Sequence, residues 1–232
     1  MAANKIKILS TRPLNSGLLH KAGLQDITVE ENAFIKVIPD VSQETTAFIQ
    51  SLALRPATVI FTSVNAVHAV TKRLTAAPPW KIFSIGGATR DALLQFFDAS
   101  TIVADAKNAI LLSEKIIAYG GVKEVIFFCG NRRMNHLPER LGAAKIKVEE
   151  LLVYRTIETP VATTKEYEGI LFFSPSAADS FFSINTIPAH TVLFSIGEST
   201  AAAIASYCSN KVVTSQWPGE FNMLEMVADY FK

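Results

Sequence analysis

An internal duplication constrains this chain more than any other feature of its sequence. The segment 61–66 (FTSVNA) resembles 172–177 (FFSPSA), and 83–89 (FSIGGAT) resembles 194–200 (FSIGEST). Both pairs are shifted by the same 111 positions, from 61 to 172 and from 83 to 194. Periods of about 20–50 residues indicate a solenoid, whereas a period this long indicates two similar domains. We therefore expect two related folding units within the 232 residues.

Short apolar runs alternate with amphipathic, helix-period segments in both halves. The predicted strands are 6–9, 27–29, 59–61, 82–85 and 101–103, then 125–128, 146–148, 170–173, 192–196 and 212–214. The clearest predicted helices are 66–74, 89–97, 111–119 and 199–207. Continuous apolar strands separated by helices are typical of parallel sheets covered on both faces. The sequence predicts an α/β fold with two sheets of about five strands each.

A third match leaves two connectivities open. Val29-Glu30-Glu31 resembles Val148-Glu149-Glu150, shifted by 119 positions, so the second half lacks eight residues just after this match. The segments that follow, 33–39 and 151–157, are typical of exposed ribbon strands or linkers. Either 1–120 and 121–232 are sequential domains, or the units exchange their first segments. In the exchanged case residues 1–33 complete the sheet of 160–232, and 40–150 form the other domain.

Composition excludes several classes of protein. The charged share of 19% with a net charge of +1 gives no support for nucleic-acid binding through bulk electrostatics. No apolar stretch approaches the roughly 20 residues that span a bilayer, and the N-terminus lacks a signal-peptide pattern. Cys129 and Cys208 stand alone and the histidines show no ligand spacing, so we expect reduced thiols, a cytoplasmic protein and no metal site. No G-x-G-x-x-G is present, so a nicotinamide or flavin cofactor is not expected.

The repeated blocks place small polar residues where predicted strands end. Ser63 or Asn65 in the first half, and Ser174 and Ser176 around Pro175 in the second, fit the first turn of a helix. Capping alone would explain an isolated case. Present in both halves, the pattern favours two sheet edges that bind carboxylates or phosphates through backbone N–H groups and hydroxyls.

Further candidates follow other strands. Glycine allows close backbone approach, and a threonine three residues later is expected to begin a helix. Arginine binds carboxylates in a fork geometry, although a solvated surface arginine is an equally good explanation for each. No nucleophile–base signature is present. The candidates for substrate binding are Gly86 and Thr89, Gly197, Ser199 and Thr200, Arg12, Gly130 and Arg132, with Arg133 competing for the role of Arg132.

Taken together, these motifs resemble uroporphyrinogen-III synthase. The order F-T-S-x-N-A-V, Y-R-T, F-F-S-P-S-A and S-I-G-E-S-T-A carries the resemblance over nearly the whole chain. It implies the exchanged connectivity: two flavodoxin-like domains, 1–33 plus 160–232 and 40–150, joined by a two-stranded β-ribbon of residues 34–39 and 151–159. It also implies a monomer with its active site between the domains.

The resemblance further implies the reaction and the roles of several residues. Hydroxymethylbilane, a linear tetrapyrrole with eight carboxylates, loses its terminal hydroxyl and closes with inversion of ring D to uroporphyrinogen III. No cofactor or metal takes part. Tyr154 matches the family's linker tyrosine and is the expected proton donor, because a phenol with a pKa near 10 stays protonated at neutral pH. Polar positions that line the family's site match Ser63, Thr89, Ser174, Ser176 and Thr200.

Two other functions compete with this one. A non-catalytic, two-lobed protein that closes on an anionic small molecule would use the same hydroxyls and helix N-termini but would not need Tyr154. A nucleotide-sugar glycosyltransferase would need a longer chain and a recognisable nucleotide site.

Overall fold

The computed structural model describes residues 6–21, 26–40, 42–217 and 219–232. Residues 1–5 and 22–25 of the predicted first domain therefore lie outside the described part. The strands are β1 (Ile6–Ser10), β2 (Ile27–Glu31), β3 (Ile35–Pro39), β4 (Ala57–Phe61), β5 (Trp80–Ile85), β6 (Ile102–Ala106), β7 (Glu124–Gly130), β8 (Lys147–Glu158), β9 (Gly169–Phe172), β10 (Val192–Ser195) and β11 (Val212–Thr214). The helices are α1 (Ser16–Lys21), α2 (Gln43–Ala53), α3 (Val64–Thr71), α4 (Ala88–Leu94), α5 (Ala109–Tyr119), α6 (His136–Ala143), α7 (Pro175–Phe182), α8 (Glu198–Ala205) and α9 (Glu220–Tyr230), with a 3₁₀ turn at Ala99–Thr101.

The chain divides into two compact units. Unit 1 contains residues 1–36 and 157–232, and unit 2 contains residues 37–156. Unit 1 has a sheet with the strand order β11-β10-β9-β1-β2, and the second sheet has the order β3-β8-β7-β4-β5-β6. All neighbouring pairs from β11 to β2 and from β8 to β6 are parallel. The predicted α/β fold with parallel sheets is confirmed.

Both sheets have one topology. Counted along the chain, the strands of unit 1 lie in the order 2-1-3-4-5, which is the flavodoxin-like arrangement. The second sheet has the same order once β7 and β8 take the places of β1 and β2. The repeated segments then coincide, because Phe61 ends β4 where Phe172 ends β9, and Val29 lies in β2 where Val148 lies in β8.

Each sheet is buried on both faces, as continuous apolar strands require. Successive side chains of a strand point to opposite faces. Val59 and Phe61 of β4 therefore pack with the α3 side of unit 2, while Ile60 packs with the α5 and α6 side. In unit 1 Leu193 and Phe194 of β10 divide in the same way. The two faces of each sheet therefore contribute to separate apolar clusters.

The chain passes from one unit to the other within strands β3 and β8. The unit boundaries fall at 36/37 and 156/157, and β3 pairs with β8. The Thr159 N–H donates to the Phe34 carbonyl, and the Asp40 N–H donates to the Val153 carbonyl, each at 2.9 Å. Residue 34 lies opposite residue 159 and residue 40 lies opposite residue 153, so the two stretches of chain run in opposite directions.

Several predicted boundaries are wrong in an informative way. Helices α3 and α4 begin at Val64 and Ala88 rather than at 66 and 89; Ser63 caps α3 with its side chain, whereas Gly87 precedes α4 without a side-chain cap. Strand β8 runs without a break from Lys147 to Glu158 and so joins the predicted strand 146–148 to the predicted linker strand 151–159. In the described residues no helix combines the length and apolarity needed to cross a bilayer.

Candidate active site

The carboxyl edge of β4 carries the first predicted site residues. Ser63 caps α3: its hydroxyl oxygen accepts a hydrogen bond from the Asn65 backbone N–H at 3.1 Å. Of the two capping candidates, Ser63 is therefore the cap. Asn65 is exposed on the first turn, whereas Ser63 is half-buried. A hydroxyl and an amide thus lie together where β4 ends.

Tyr154 lies at a break in the pairing of β7 with β8. Cys129 pairs with Leu152 and Gly130 pairs with Tyr154, so Val153 is an extra residue on β8. Such a bulge changes the direction of the side chains beside it and is often found near active sites. It brings Tyr154 opposite the last residue of β7, at the same edge as Ser63.

The phenol of Tyr154 lies directly against the backbone of Gly130. A Cβ atom at position 130 would be 2.4 Å from both Cε2 and Cζ of Tyr154, and 2.8 Å from its hydroxyl oxygen. Carbon atoms in contact lie about 3.5–4.0 Å apart, so no side chain fits. Gly130, which the sequence predicts to contact substrate, is thus also the residue against which the Tyr154 phenol packs.

The surroundings of Tyr154 keep its hydroxyl protonated. Burial raises the pKa of Tyr154 above its ordinary value of 10.0, and the nearby Cys129 thiol acts in the same direction. A hydrogen bond with the Ser63 side chain lowers the pKa, but burial outweighs it. At neutral pH the group is therefore an O–H donor, as a general acid must be.

A pocket of about 450 Å³ opens beside this phenol, lined entirely by unit 2. It is lined by Tyr154, by Val37 and Pro39, by Asn65, His68 and Ala69 of α3, and by Lys72, which follows the last residue of α3. The lining combines apolar surface with amide, imidazole and ammonium groups and contains no carboxylate. It suits an anionic ligand that has an apolar ring.

The edge after β5 has a different character. A Cβ atom at Gly86 would lie 3.0 Å from Oδ2 of Asp105, and Arg90 Nε lies 3.2 Å from the Oδ1 atom of that carboxylate. An anion bound at Gly86 would therefore meet a carboxylate as well as a guanidinium. Thr89 is only 6% exposed and is the second residue of α4, so the expectation that it begins the helix is wrong.

The turn after β7 separates the two arginine candidates. Arg133 donates from Nε to Glu150 at 2.5 Å and also forms an ion pair with that carboxylate. Arg132 is exposed. Between Gly130 and these arginines, Asn131 holds β8 in place: its side-chain oxygen accepts from the Thr156 N–H at 2.7 Å, and its amide donates to the Thr156 carbonyl. Arg133 is thus held by Glu150, while the choice between the two arginines as substrate contacts stays a prediction.

Unit 1 repeats the capped edge of β4. Ser174 caps α7, accepting a hydrogen bond from the Ala177 N–H at 3.2 Å, and Pro175 occupies the first turn as predicted. Ser176 is 8% exposed and faces the interior more than the edge. Ser63 and Ser174 are therefore equivalent in structure as well as in sequence.

The edge after β10 is more open. Gly197 precedes α8 with an extended backbone, and a Cβ atom there would meet nothing within 4 Å. Ser199 is exposed, whereas Thr200 is 1% exposed. Helix α8 begins at Glu198, so the expectation that Thr200 begins it is also wrong. A Cβ atom would therefore be tolerated at Gly197, unlike at Gly130.

Arg12 is already engaged within unit 1. Its NH2 atom lies 2.8 Å from Oε2 of Glu220, and its guanidinium lies 4.1 Å from the centre of the Phe173 ring. The other oxygen of Glu220 accepts from the Asn15 N–H at 2.5 Å. The Nε atom of Arg12 is buried without a hydrogen-bond partner among the described residues. Glu220 was not among the predicted site residues, because its contact with Arg12 joins positions 208 apart in the chain.

Side chains that could bind a metal ion do not cluster in the part of the chain that the structure describes. Among the described residues no group of three or more His, Cys, Asp or Glu side chains converges. Cys129 and Cys208 are free, and burial raises the pKa of the Cys129 thiol to about 11, so it stays protonated.

Comparison with known proteins decides the family. The model of the family described as Uroporphyrinogen-III synthase HemD matches residues 17–225. That match covers most of both units. The chain belongs to the uroporphyrinogen-III synthase family. No curated protein sequence matches it.

Solved structures of uroporphyrinogen-III synthases have the same fold. A mutant enzyme from the extremely thermophilic bacterium Thermus thermophilus is 13% identical with a TM-score of 0.67, covering 97% of this chain and 98% of the other. The enzyme from Helicobacter pylori is 15% identical with a TM-score of 0.67, covering 97% and 99%. The fold of the uroporphyrinogen-III synthase family thus persists at low identity.

Membership of the uroporphyrinogen-III synthase family carries the activity. The chain is a cyclising lyase that converts hydroxymethylbilane to uroporphyrinogen III, with inversion of ring D and loss of water, in tetrapyrrole (haem) biosynthesis. The competing interpretation, a non-catalytic binder of an anionic small molecule, is not favoured.

Proposed function

We propose that Tyr154 protonates the hydroxyl that leaves hydroxymethylbilane. The observation that carries this proposal is the seating of its phenol on Gly130, with a hydrogen bond to Ser63 and a raised pKa. A general acid needs a fixed position and a proton at working pH, and both are present.

The chemical step is balanced without a redox partner. The C–O bond of the hydroxymethyl group breaks as the phenol O–H gives up its proton, so water leaves and a pyrrole-stabilised cation remains. Ring D then attacks the cation through its already substituted α-carbon, the bond from that carbon to the methylene shared with ring C breaks, and this methylene bonds to the free α-carbon, so that ring D is inverted. Loss of the proton from that last carbon balances the one donated by Tyr154, and no net change of oxidation state occurs, so the proposed reaction needs no redox cofactor.

Carboxylate binding is divided between the carboxyl edges of both sheets in this proposal. Helix N-termini and hydroxyls favour anions because their donors already point outward. The exposed or half-buried positions Asn65, Ser63, Ser174 and Ser199 support direct contact. The buried Thr89, Ser176 and Thr200 shape the first turns beneath them. The remaining proposed substrate contacts are Arg12, Gly86, Gly130, Arg132 and Gly197.

We also propose that a two-stranded linker joins two domains of this chain. Residues 34–39 and 151–159 form a two-stranded ribbon linker between a discontinuous domain (1–33 plus 160–232) and a continuous one (40–150). The opposed hydrogen bonds of Phe34 with Thr159 and of Asp40 with Val153 support it. We further propose a cytoplasmic monomer that binds neither membranes nor nucleic acid.

A coupled assay tests the proposed function. Freshly generated hydroxymethylbilane closes spontaneously to the type I isomer, so only a protein-dependent type III isomer counts as activity. Tyr154→Phe is expected to lower kcat by roughly 10²-fold or more with little change in KM, because the phenol acts in the transition state. Tyr119→Phe, an exposed tyrosine whose hydroxyl meets Lys81 at 3.2 Å, is the matched control. Equal activity of the two variants would reject Tyr154 as the donor.

A further inference from the structure

One face of α3, together with Lys72 at its C-terminal cap, carries three hydrogen-bond donors. Asn65, His68 and Lys72 are all exposed, and all three line the pocket beside Tyr154. Helix positions three and four residues apart lie on one face, so the amide, imidazole and ammonium groups follow one another over roughly 10 Å. We call these three residues the donor row.

The two basic members of the donor row are not committed elsewhere in unit 2. Neither side chain has a partner among the described residues, and no carboxylate lines the pocket. The neighbouring Arg73 is the opposite case: its Nε donates to Thr46 Oγ1 at 3.2 Å, and its NH1 atom donates to the Ala69 carbonyl. Lys72 is therefore the cation that α3 leaves available beside Tyr154.

The size and lining of the pocket indicate what it accepts. A volume of about 450 Å³ is at the lower end of ordinary ligand sites, enough for one substituted ring rather than a whole tetrapyrrole. Val37, Pro39 and Ala69 supply apolar surface for such a ring, and the donor row supplies partners for anionic substituents. The eight carboxylates of the substrate are distributed two to each pyrrole.

The position of Tyr154 selects one ring of the substrate. If the phenol protonates the departing hydroxyl, the pyrrole that bears this hydroxyl must enter the same pocket with its own two carboxylates. We infer that His68 and Lys72 bind these carboxylates in the pocket beside Tyr154. This inference rests on the proposed function, and it makes both side chains substrate-binding residues.

Substitution of the two basic residues tests the inference. Lys72→Gln and His68→Gln are each expected to raise KM by roughly 3- to 10-fold, the range for loss of one partly solvated charge-assisted hydrogen bond, with kcat changed less than twofold. Lys72→Arg should keep KM near that of the unmodified protein. Lys123→Gln, an exposed lysine before β7 and outside the pocket, is the matched control.

Ionic strength provides a readout that a merely structural role would not move. Salt screens an exposed charge pair, so the KM of the unmodified protein should rise with salt, and Lys72→Gln should flatten that dependence. Unchanged melting temperatures would show that the variants fold. A KM for Lys72→Gln and His68→Gln within twofold of Lys123→Gln, or an unaltered salt dependence, would overturn the inference.

A binding experiment separates this inference from the proposed function. Uroporphyrin is a stable octacarboxylate whose fluorescence reports binding without turnover. If the unmodified protein yields only the type I isomer, the proposed function fails, whereas weaker uroporphyrin binding by Lys72→Gln than by Lys123→Gln still supports the donor row. Type III product together with equal uroporphyrin affinity of these two variants would reject the donor row alone.

Discussion

Substitution of Gly130 by alanine offers a sharp test of how Tyr154 is positioned. The added Cβ atom would lie 2.4 Å from two ring carbons of Tyr154. Since carbon contacts settle at about 3.5–4.0 Å, the ring must move by more than about 1 Å. A misplacement of about 1 Å costs up to roughly 10²-fold in rate, so we expect a fall in kcat of this order. Overpacking should also lower the free energy of unfolding by about 1–3 kcal/mol.

The coupled isomer assay measures the effect, and a double-mutant cycle shows its cause. If Gly130 acts through the phenol, Gly130→Ala should cost little more kcat once Tyr154 is already phenylalanine, because coupled residues are not additive. Gly142→Ala is the matched control: its Cβ atom meets nothing within 4 Å, and alanine favours the helix. Unchanged kcat in Gly130→Ala, or an undiminished loss in the Tyr154→Phe background, would refute the argument.

Three further predictions concern capping, ion pairing and alkaline stability. Ser63→Ala and Ser174→Ala should each lower the free energy of unfolding, measured by urea titration, by about 1 kcal/mol, because each removes a helix cap. Only Ser63→Ala should also lower kcat, because it removes the hydrogen bond with Tyr154. Glu220→Gln should weaken the hold on Arg12 and lower the melting temperature by a few degrees, equivalent to about 1 kcal/mol, and an unchanged melting temperature would show that this ion pair contributes nothing. Burial and the neighbouring Glu30 raise the pKa of Tyr167 to about 12. The unfolded chain loses the Tyr167 proton near pH 10 and the folded chain only near pH 12. The contribution of Tyr167 to the free energy of unfolding should therefore be constant below pH 10 and fall by at most about 2–3 kcal/mol as pH rises to 12. Tyr167→Phe should remove this contribution when unfolding is measured as a function of pH.

The fold was accessible from the sequence because its information is local and repeated. Continuous apolar strands such as 59–61 and 170–173 have one sensible environment, a sheet covered on both faces. The repeated segments then indicated that both halves have the same fold. What was not accessible is that the predicted strand 146–148 and the predicted linker strand 151–159 form one continuous β8, because residues 151–158 mix apolar and polar side chains and depend on partners in β3 and β7 for their structure.

The candidate site was only partly accessible, for a related reason. Ser63 and Ser174 were predictable because capping is a matter of a few neighbouring residues. The contact of Tyr154 with Gly130 joins residues 24 positions apart, and it depends on a β-bulge that the sequence pattern does not predict. Likewise, the pairing of Arg12 with Glu220 spans 208 positions and needs the packed fold.

The changeover of the chain within β3 and β8 determines the order in which the protein is completed during synthesis. Residues 37–156 are contiguous and leave the ribosome as a finished unit. The central strand β1 is made before residues 37–156, yet the hydroxyl contact that follows it, from Thr11 to the Leu171 carbonyl, spans 160 positions. The apolar Ile8 and Leu9 must therefore stay uncovered, and attractive to chaperones, until the last third of the chain is made.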